Sequence, residues 1–147
     1  MNEKLEIKTF DQLSTKELYQ FLKLRVDVFV VEQNCPYPEL SDKDEKSLHY
    51  MLYDGQELAA YLRTYQREKG VYAIGRIVTD HRYRGKGLAG KLIHEAIAKI
   101  QSTEGAKEIY VQGQSPLVDY YRSFGLEVCS QEYLEDNIPH TDLNLKF

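Results

Sequence analysis

Hydrophobic and polar positions divide the chain into short blocks of two different periods. Leu5, Ile7 and Thr9 alternate with Glu6 and Lys8, the period of a half-buried strand over 4–10. The spacing then turns helical, with Leu18, Phe21, Leu22, Val26 and Phe29 on one stripe. Ser14 and Glu17 stand as a capping box at its start, and Leu13 with Leu18 fits a hydrophobic staple. The stretch 30–48 carries Pro36, Pro38 and the acids Glu39, Asp42, Asp44 and Glu45, and reads as a long loop with at most a short helix. Two strands follow at 49–53 and 58–65, joined by a turn at Asp54-Gly55. A third strand, 71–79, comes after a polar turn at Gly70.

Gly85-Lys86-Gly87-Leu88-Ala89-Gly90 opens a second helix, whose apolar stripe is Leu88, Leu92, Ala96, Ile97 and Ile100 and whose stop is Gly105. A short strand at 108–112 precedes a third helix, with Ser115 as cap, Pro116 at the first helical position and Gly125 as its end. Strands at 128–133 and 141–147 complete the chain. The order β-α-loop-β-β-β-α-β-α-β-β predicts one α/β (α+β mixed) domain over 1–147. Its sheet is mixed and mostly antiparallel, with helices on its flanks.

Composition narrows the function classes. The 147 residues include 19 Lys and Arg against 23 Asp and Glu, a net charge of −4, which excludes a globally basic nucleic-acid binder. Two cysteines cannot form a disulfide framework, and the N-terminal segment has no signal-peptide pattern. No apolar run is long enough to span a bilayer. A soluble, cytoplasmic domain without membrane or nucleic-acid partners is expected.

The glycine segment admits three nucleotide-type readings. A dinucleotide fold needs the first glycine at a strand end, but Asp80 to Arg84 intervene. A phosphate loop needs Ser or Thr after Gly90-Lys91 to ligate magnesium, and Leu92 stands there. The third reading uses the basic residues before the glycines: Arg82-Tyr83-Arg84-Gly85-Lys86-Gly87 fits R-x-x-G-x-G between an apolar strand and an amphipathic helix. Helix-opening amides and local positive charge from Arg82, Arg84, Lys86 and Lys91 suit a pyrophosphate.

This segment resembles the acetyl-CoA motif of the GNAT superfamily of N-acetyltransferases, and the element order matches that fold. The resemblance implies that Arg82, Arg84, Gly85, Lys86, Gly87, Leu88, Ala89 and Gly90 hold acetyl-CoA. It also implies that the backbone of Ile77, Val78 and Thr79, on a bulged strand, holds the acyl carbonyl and pantetheine. Tyr120-Tyr121-Arg122-Ser123-Phe124-Gly125 resembles the stretch that carries the superfamily's catalytic tyrosine, which makes Tyr121 the general acid toward the departing thiolate. The Glu that many relatives use as general base is missing from 71–79, where Arg76 is the only charged residue. Glu32, Asp44, His49 or an ordered water are the alternatives.

A narrower resemblance covers nearly the whole chain. Arg25 to Tyr37 and Glu135-Asp136-Asn137-Ile138-Pro139-His140 are similar to the signatures of the ElaA-like branch. In the superfamily the region after the first helix and the last inter-strand loop wall the acceptor site. Here they carry Glu32, Glu39, Asp42, Asp44, Glu45, Glu132, Glu135 and Asp136, so a small cationic amine or lysine-like acceptor is expected. Arg25, Glu32, Asp44, His49, Arg76 and Gln112 are the residues expected to contact it. Arg25 and Arg76 can instead pair with these acids, or with a substrate carboxylate. Cys35, His49, Cys129 and His140 fit no standard zinc spacing, so no metal is expected. The expected reaction is direct attack of a primary amine on acetyl-CoA. A coenzyme A sensor or protein-interaction module on the same fold, and transfer of another acyl group, stay open. A homodimer is common in such folds.

Overall fold

A computed structural model describes all 147 residues. The elements are β1 (Glu3–Thr9), α1 (Thr15–Arg25), β2 (Leu48–Asp54), β3 (Glu57–Glu68), β4 (Val71–Thr79), α2 (Leu88–Gln101), β5 (Glu108–Gln114), α3 (Val118–Arg122), β6 (Glu127–Val128), β7 (Tyr133–Glu135) and β8 (Ile138–Lys146). The eight strands form one sheet in the order β1-β2-β3-β4-β5-β8-β6, with β7 also on β8, and only the β4–β5 pair is parallel. No helix is long and apolar enough to cross a membrane.

Local signals account for most of these boundaries. Ser14 Oγ accepts from the Glu17 amide at 3.1 Å and Glu17 Oε1 accepts from the Ser14 amide at 2.8 Å, so the capping box closes as expected. Gly55 takes φ +61° in the β2–β3 turn. Both faces of β2 and β3 are covered, which explains their continuous apolar runs. Tyr50, Leu62, Leu92 and Ile93 form the core beneath α2. Phe21, Met51, Tyr61 and Val78 form a second core beneath α1.

Three boundaries differ from expectation. The first helix ends at Arg25, and Val26–Glu32 is a π-helical turn. Gln33 N bonds Val28 O and Cys35 N bonds Val30 O, each five residues back. Apolar spacing persists through Phe29, so periodicity alone cannot separate the two helical forms. The third helix begins as a 3-10 turn, Ser115–Leu117, capped at Gln114 rather than at Ser115. The strand expected over 128–133 is split into β6 and β7, and β8 begins at Ile138 rather than at 141. Pro139 masks this extension, because proline rarely occupies a paired strand.

One irregularity builds the site. On β3–β4, Tyr61 pairs with Val78 but Arg63 pairs with Gly75, so β4 carries an extra residue between them. Arg76 sits in this bulge with φ +51°, a left-handed conformation that costs a non-glycine residue roughly 1 kcal/mol or more. The parallel β4–β5 pairing covers only Val71–Ala73 against Glu108–Tyr110. Beyond Ala73 the two strands part, leaving an open wedge.

Candidate functional site

The wedge holds a cavity of about 520 Å³ lined by Ile77, Val78, Thr79, Arg84, Ala89 and Tyr121, among others. A second, more polar cavity of about 140 Å³ adjoins it. The two share Ile74, Gly75 and Arg76 on β4, and Gln112, Gln114 and His140 across from them.

The glycine segment borders the larger cavity, which its Ala89 lines together with Arg84. Gly85 and Gly87 take φ +79° and +73°, and Gly87 caps α2. The first-turn amides of α2 lack intrahelical partners and carry the positive end of the helix dipole, which fits an anionic phosphate. Arg84 lines the cavity, but its guanidinium is shared with Glu32 at 2.9 and 3.0 Å. Arg82 is turned onto Asp80, with bonds of 3.1 Å from Nε and from Nη2, and contributes nothing to the cavity wall. Lys86 lies over the Tyr83 ring and Lys91 pairs with Glu3 at 2.7 Å. Of the basic residues expected to hold phosphate, only Arg84 lines the cavity.

Tyr121 is buried against β5, and its hydroxyl has no hydrogen-bond partner in the chain. Burial pushes its pKa up to about 12. Gly113 makes this seat: a Cβ there would stand 2.7 Å from Tyr121 Cε2. Sequence reasoning passed over Gly113, although a lone glycine inside a strand signals a close approach.

Three of the residues expected at the acceptor site lie elsewhere. Arg25 is fully buried, and donates to Glu39 at 2.9 Å and to Asp44 at 2.7 and 3.2 Å. Asp44 also accepts from Arg63 at 2.6 Å. Burial alone would raise the Asp44 pKa, but the hydrogen bonds and charge of Arg25, then of Arg63, outweigh it and hold the carboxyl below the usual range. His49 is fully buried and stacked on Phe21. Its Nδ1 is 2.6 Å from Tyr61 Oη and its Nε2 is 2.9 Å from the Asp44 carbonyl. Burial, helped by Arg25 and Arg63 and opposed by Asp44, keeps the imidazole neutral. A neutral ring donates from Nε2 and accepts at Nδ1 here, so no lone pair is left for catalysis. Arg25, Asp44 and His49 thus brace the fold behind the cavities. A tertiary ion-pair network absorbs side chains that are polar and unassigned in sequence.

Arg76, Glu32 and Gln112 do reach the cavities. Glu32 is held below the usual carboxylate range chiefly by its hydrogen bond from Arg84, which makes it a poor base. The acids behind the cationic-acceptor expectation are largely spoken for: Glu39 and Asp44 by arginines, Glu32 by Arg84. Asp42, Glu45 and Glu132 line neither cavity, whereas Glu135 and Asp136 line the smaller one without an ion-pair partner.

His140 is the residue of catalytic type that sequence reasoning left without a role. It lines both cavities, opposite Gln114 in the β5–β8 ladder. Its Nδ1 is 2.7 Å from the Ile138 carbonyl and its ring stacks on Tyr133. Since a carbonyl only accepts, Nδ1 carries the proton and Nε2 keeps a lone pair, with no partner in the chain.

A family model described as an acetyltransferase (GNAT) domain matches residues 6–147. The chain belongs to the GNAT acetyltransferase family. A UPF0039 protein of Schizosaccharomyces pombe is 39% identical over 141 residues, covering 95% of this chain and 94% of its own. Protein ElaA of Escherichia coli is 33% identical over 133 residues, covering 88% of this chain and 87% of its own. The solved structure of an acyl-CoA N-acyltransferase from Pseudomonas aeruginosa superposes with a TM-score of 0.91 at 36% identity, over 97% of this chain and 98% of that one. These matches support the ElaA-like branch. They share the mixed eight-stranded sheet with its flanking helices.

Proposed function

We propose that the protein is an acetyl-CoA-dependent N-acetyltransferase that acts on a primary amine by direct attack in a ternary complex. The carrying observation is the meeting of two cavities across the open β4–β5 wedge, with Tyr121 on the larger one and His140 facing both. One cavity receives the thioester and the other the amine. Bound acetyl-CoA would supply an acyl group already activated for attack.

The residues divide the remaining work. Amides of Gly85 to Gly90 and the Arg84 guanidinium hold phosphate. The freed backbone of Ile77, Val78 and Thr79 offers hydrogen bonds along the wedge, including donors toward the carbonyl oxygen as it gains charge. An alkylammonium is only about one part in a thousand neutral at pH 7, so a base is needed. His140 Nε2 takes that proton, in place of Glu32, Asp44 and His49. Its Nδ1–H bond to Ile138 holds the required tautomer. Tyr121 donates from Oη to the departing sulfur. With a pKa near 12 it stays protonated through the working range. Permanent transfer to a thiolate of pKa about 8.5 is uphill by roughly 5 kcal/mol, so Tyr121 holds the departing sulfur by a strong hydrogen bond. The sulfur gains the second proton that the amine nitrogen sheds as the amide forms, while His140 keeps the first. Cys35 is no rival nucleophile: its Sγ donates to the Asp136 carbonyl at 3.3 Å, and no imidazole is bonded to it.

Saturating acetyl-CoA is expected to raise the melting temperature, as a ligand of the native state must. Thiol release with a panel of primary amines then reads turnover. Absence of a melting shift would refute the cofactor assignment. A shift without thiol release for any amine would refute the enzyme in favour of a coenzyme A sensor. Tyr121→Phe is expected to lower kcat at least tenfold with coenzyme affinity nearly intact.

A further inference from the structure

The smaller cavity has an unusual wall for a pocket that receives an amine. Lys43, Arg63, Arg67 and Arg76 line it, and Arg25 lies behind them. Of the buried carboxylates around them, Glu39 lines the cavity while Asp44 and Asp142 bond lining residues from outside it, and each is already engaged. Glu39 takes Arg25 and the edge of Arg76, Asp44 takes Arg25 and Arg63, and Asp142 accepts from the hydroxyls of Tyr110 and Tyr133. Glu135, at the end of β7, and Asp136, on the β7–β8 turn, also line the cavity; both are exposed, so solvent screens them.

Guanidinium capacity is left over inside this wall. Arg67 has no carboxylate within 4 Å, and its guanidinium carbon lies over the Tyr110 ring, 3.9 Å from the centroid. That stacking leaves the N–H edges free in the plane suited to a carboxylate. Arg63 is only 7% exposed, and its buried Nε has no acceptor. Arg76 Nε is 3.0 Å from Glu39 Oε2 but outside hydrogen-bonding geometry, and its terminal nitrogens have no partner in the chain. A buried donor without a partner is costly, and a strained backbone at φ +51° is what sets Arg76 at the junction of the cavities. An anion reaching both Arg67 and Arg76, which line the same cavity, would supply the missing acceptors.

We infer that the acceptor is an amino acid-like molecule: a primary amine whose carboxylate is held by Arg67 and Arg76, with the amine at the shared wall near His140. The inference rests on the acyltransferase reading and names its substrate class. It takes the lysine-like acceptor over the small cationic amine, with a substrate carboxylate on Arg76. A polyamine would bring positive charge into an already cationic wall, whereas a lysine-like acceptor keeps its place through its carboxylate. A cavity of about 140 Å³ favours a small group over a long chain.

The test is a set of matched pairs that differ by the carboxylate: lysine against cadaverine, 4-aminobutyrate against butylamine, and β-alanine against propylamine, with phosphoethanolamine as a separate arm. Thiol release is expected to show kcat/KM at least tenfold higher for the acid of at least one pair. The gain should appear mainly in KM, as uniform binding does, and shrink as salt rises. Arg67→Gln, at an exposed position, is expected to bring that ratio to within about twofold of one. Its melting temperature controls for folding, and Arg67→Lys should recover part of the preference. Equal rates within every pair, or a preference for the decarboxylated member, would overturn the inference while leaving the acyltransferase reading intact. A phosphoethanolamine rate above that of every acid would overturn the carboxylate assignment. An acetyl-CoA melting shift with no turnover of any compound would remove the acyltransferase reading itself, and the inference with it.

Discussion

Gly113→Ala is a change of one methyl group outside the coenzyme cradle, yet it should strike the reaction. The new Cβ would stand 2.7 Å from Tyr121 Cε2, 3.0 Å from Cδ2 and 3.4 Å from Leu143 Cδ1. Carbon atoms pack at about 3.5–4.0 Å, so the ring must retreat by roughly 1 Å, and Leu143 limits how far the methyl itself can yield. Overpacking of this kind costs about 1–3 kcal/mol, a loss of some 3–10 °C in melting temperature for a domain of this size. A misplacement of about 1 Å in a catalytic group can cost on the order of 100-fold in rate. The assay is kcat by thiol release in the single and double variants. Gly113→Ala should lower kcat tenfold to a hundredfold and leave the acetyl-CoA melting shift nearly unchanged. In a Tyr121→Phe background the same substitution should add little, because both changes act through one hydroxyl. A kcat within twofold of the unmodified protein would refute the reasoning. So would a full loss that persists in the Tyr121→Phe background.

Other outcomes follow from the same geometry. Asp44→Asn leaves Arg63 buried without its anion and Arg25 with Glu39 alone, and should cost about 3–5 kcal/mol, read as a fall of roughly 10 °C in melting temperature. Because the folded-state pKa of Asp44 is depressed, its contribution is present above the unfolded value near 3.9 and lost as pH falls through the folded value. The gap between the two proteins should therefore close only below about pH 4. Gly87→Ala forces a Cβ into a backbone at φ +73° and should weaken acetyl-CoA binding about tenfold, given a strain of roughly 1–2 kcal/mol. Gly90→Ala, whose Cβ would meet Phe124 and Tyr120 at an ordinary 3.6 Å, should change it less than about threefold by isothermal calorimetry. His140→Asn should cut kcat for alkylamines by about 100-fold but far less for amines of low pKa, which arrive already deprotonated; equal losses on both would refute the base assignment.

The elements were legible because their signals are local. A capping box spans four residues, an Asp-Gly turn two, and a positive φ belongs to one glycine. Ser14 with Glu17, Asp54-Gly55 and Gly87 therefore could be read directly, and with them the α/β layout. The family motif marked Tyr121 and the phosphate cradle in the same way. Pairing across the fold is a different matter. Arg84 meets Glu32 from 52 residues away, Arg25 meets Asp44 from 19, and nothing local in either segment names the partner. Composition counted the acids of 32–45 as free charge, whereas packing had matched the buried ones to arginines. The sequence by itself determined the elements, the glycine cradle and a net acidic chain. Only the tertiary structure decided which charges remain unpaired, that His140 rather than His49 keeps a lone pair toward the cavities, and that Gly113 seats Tyr121. Local backbone preference acts between neighbours in the chain, while desolvation and ion pairing act between neighbours in space.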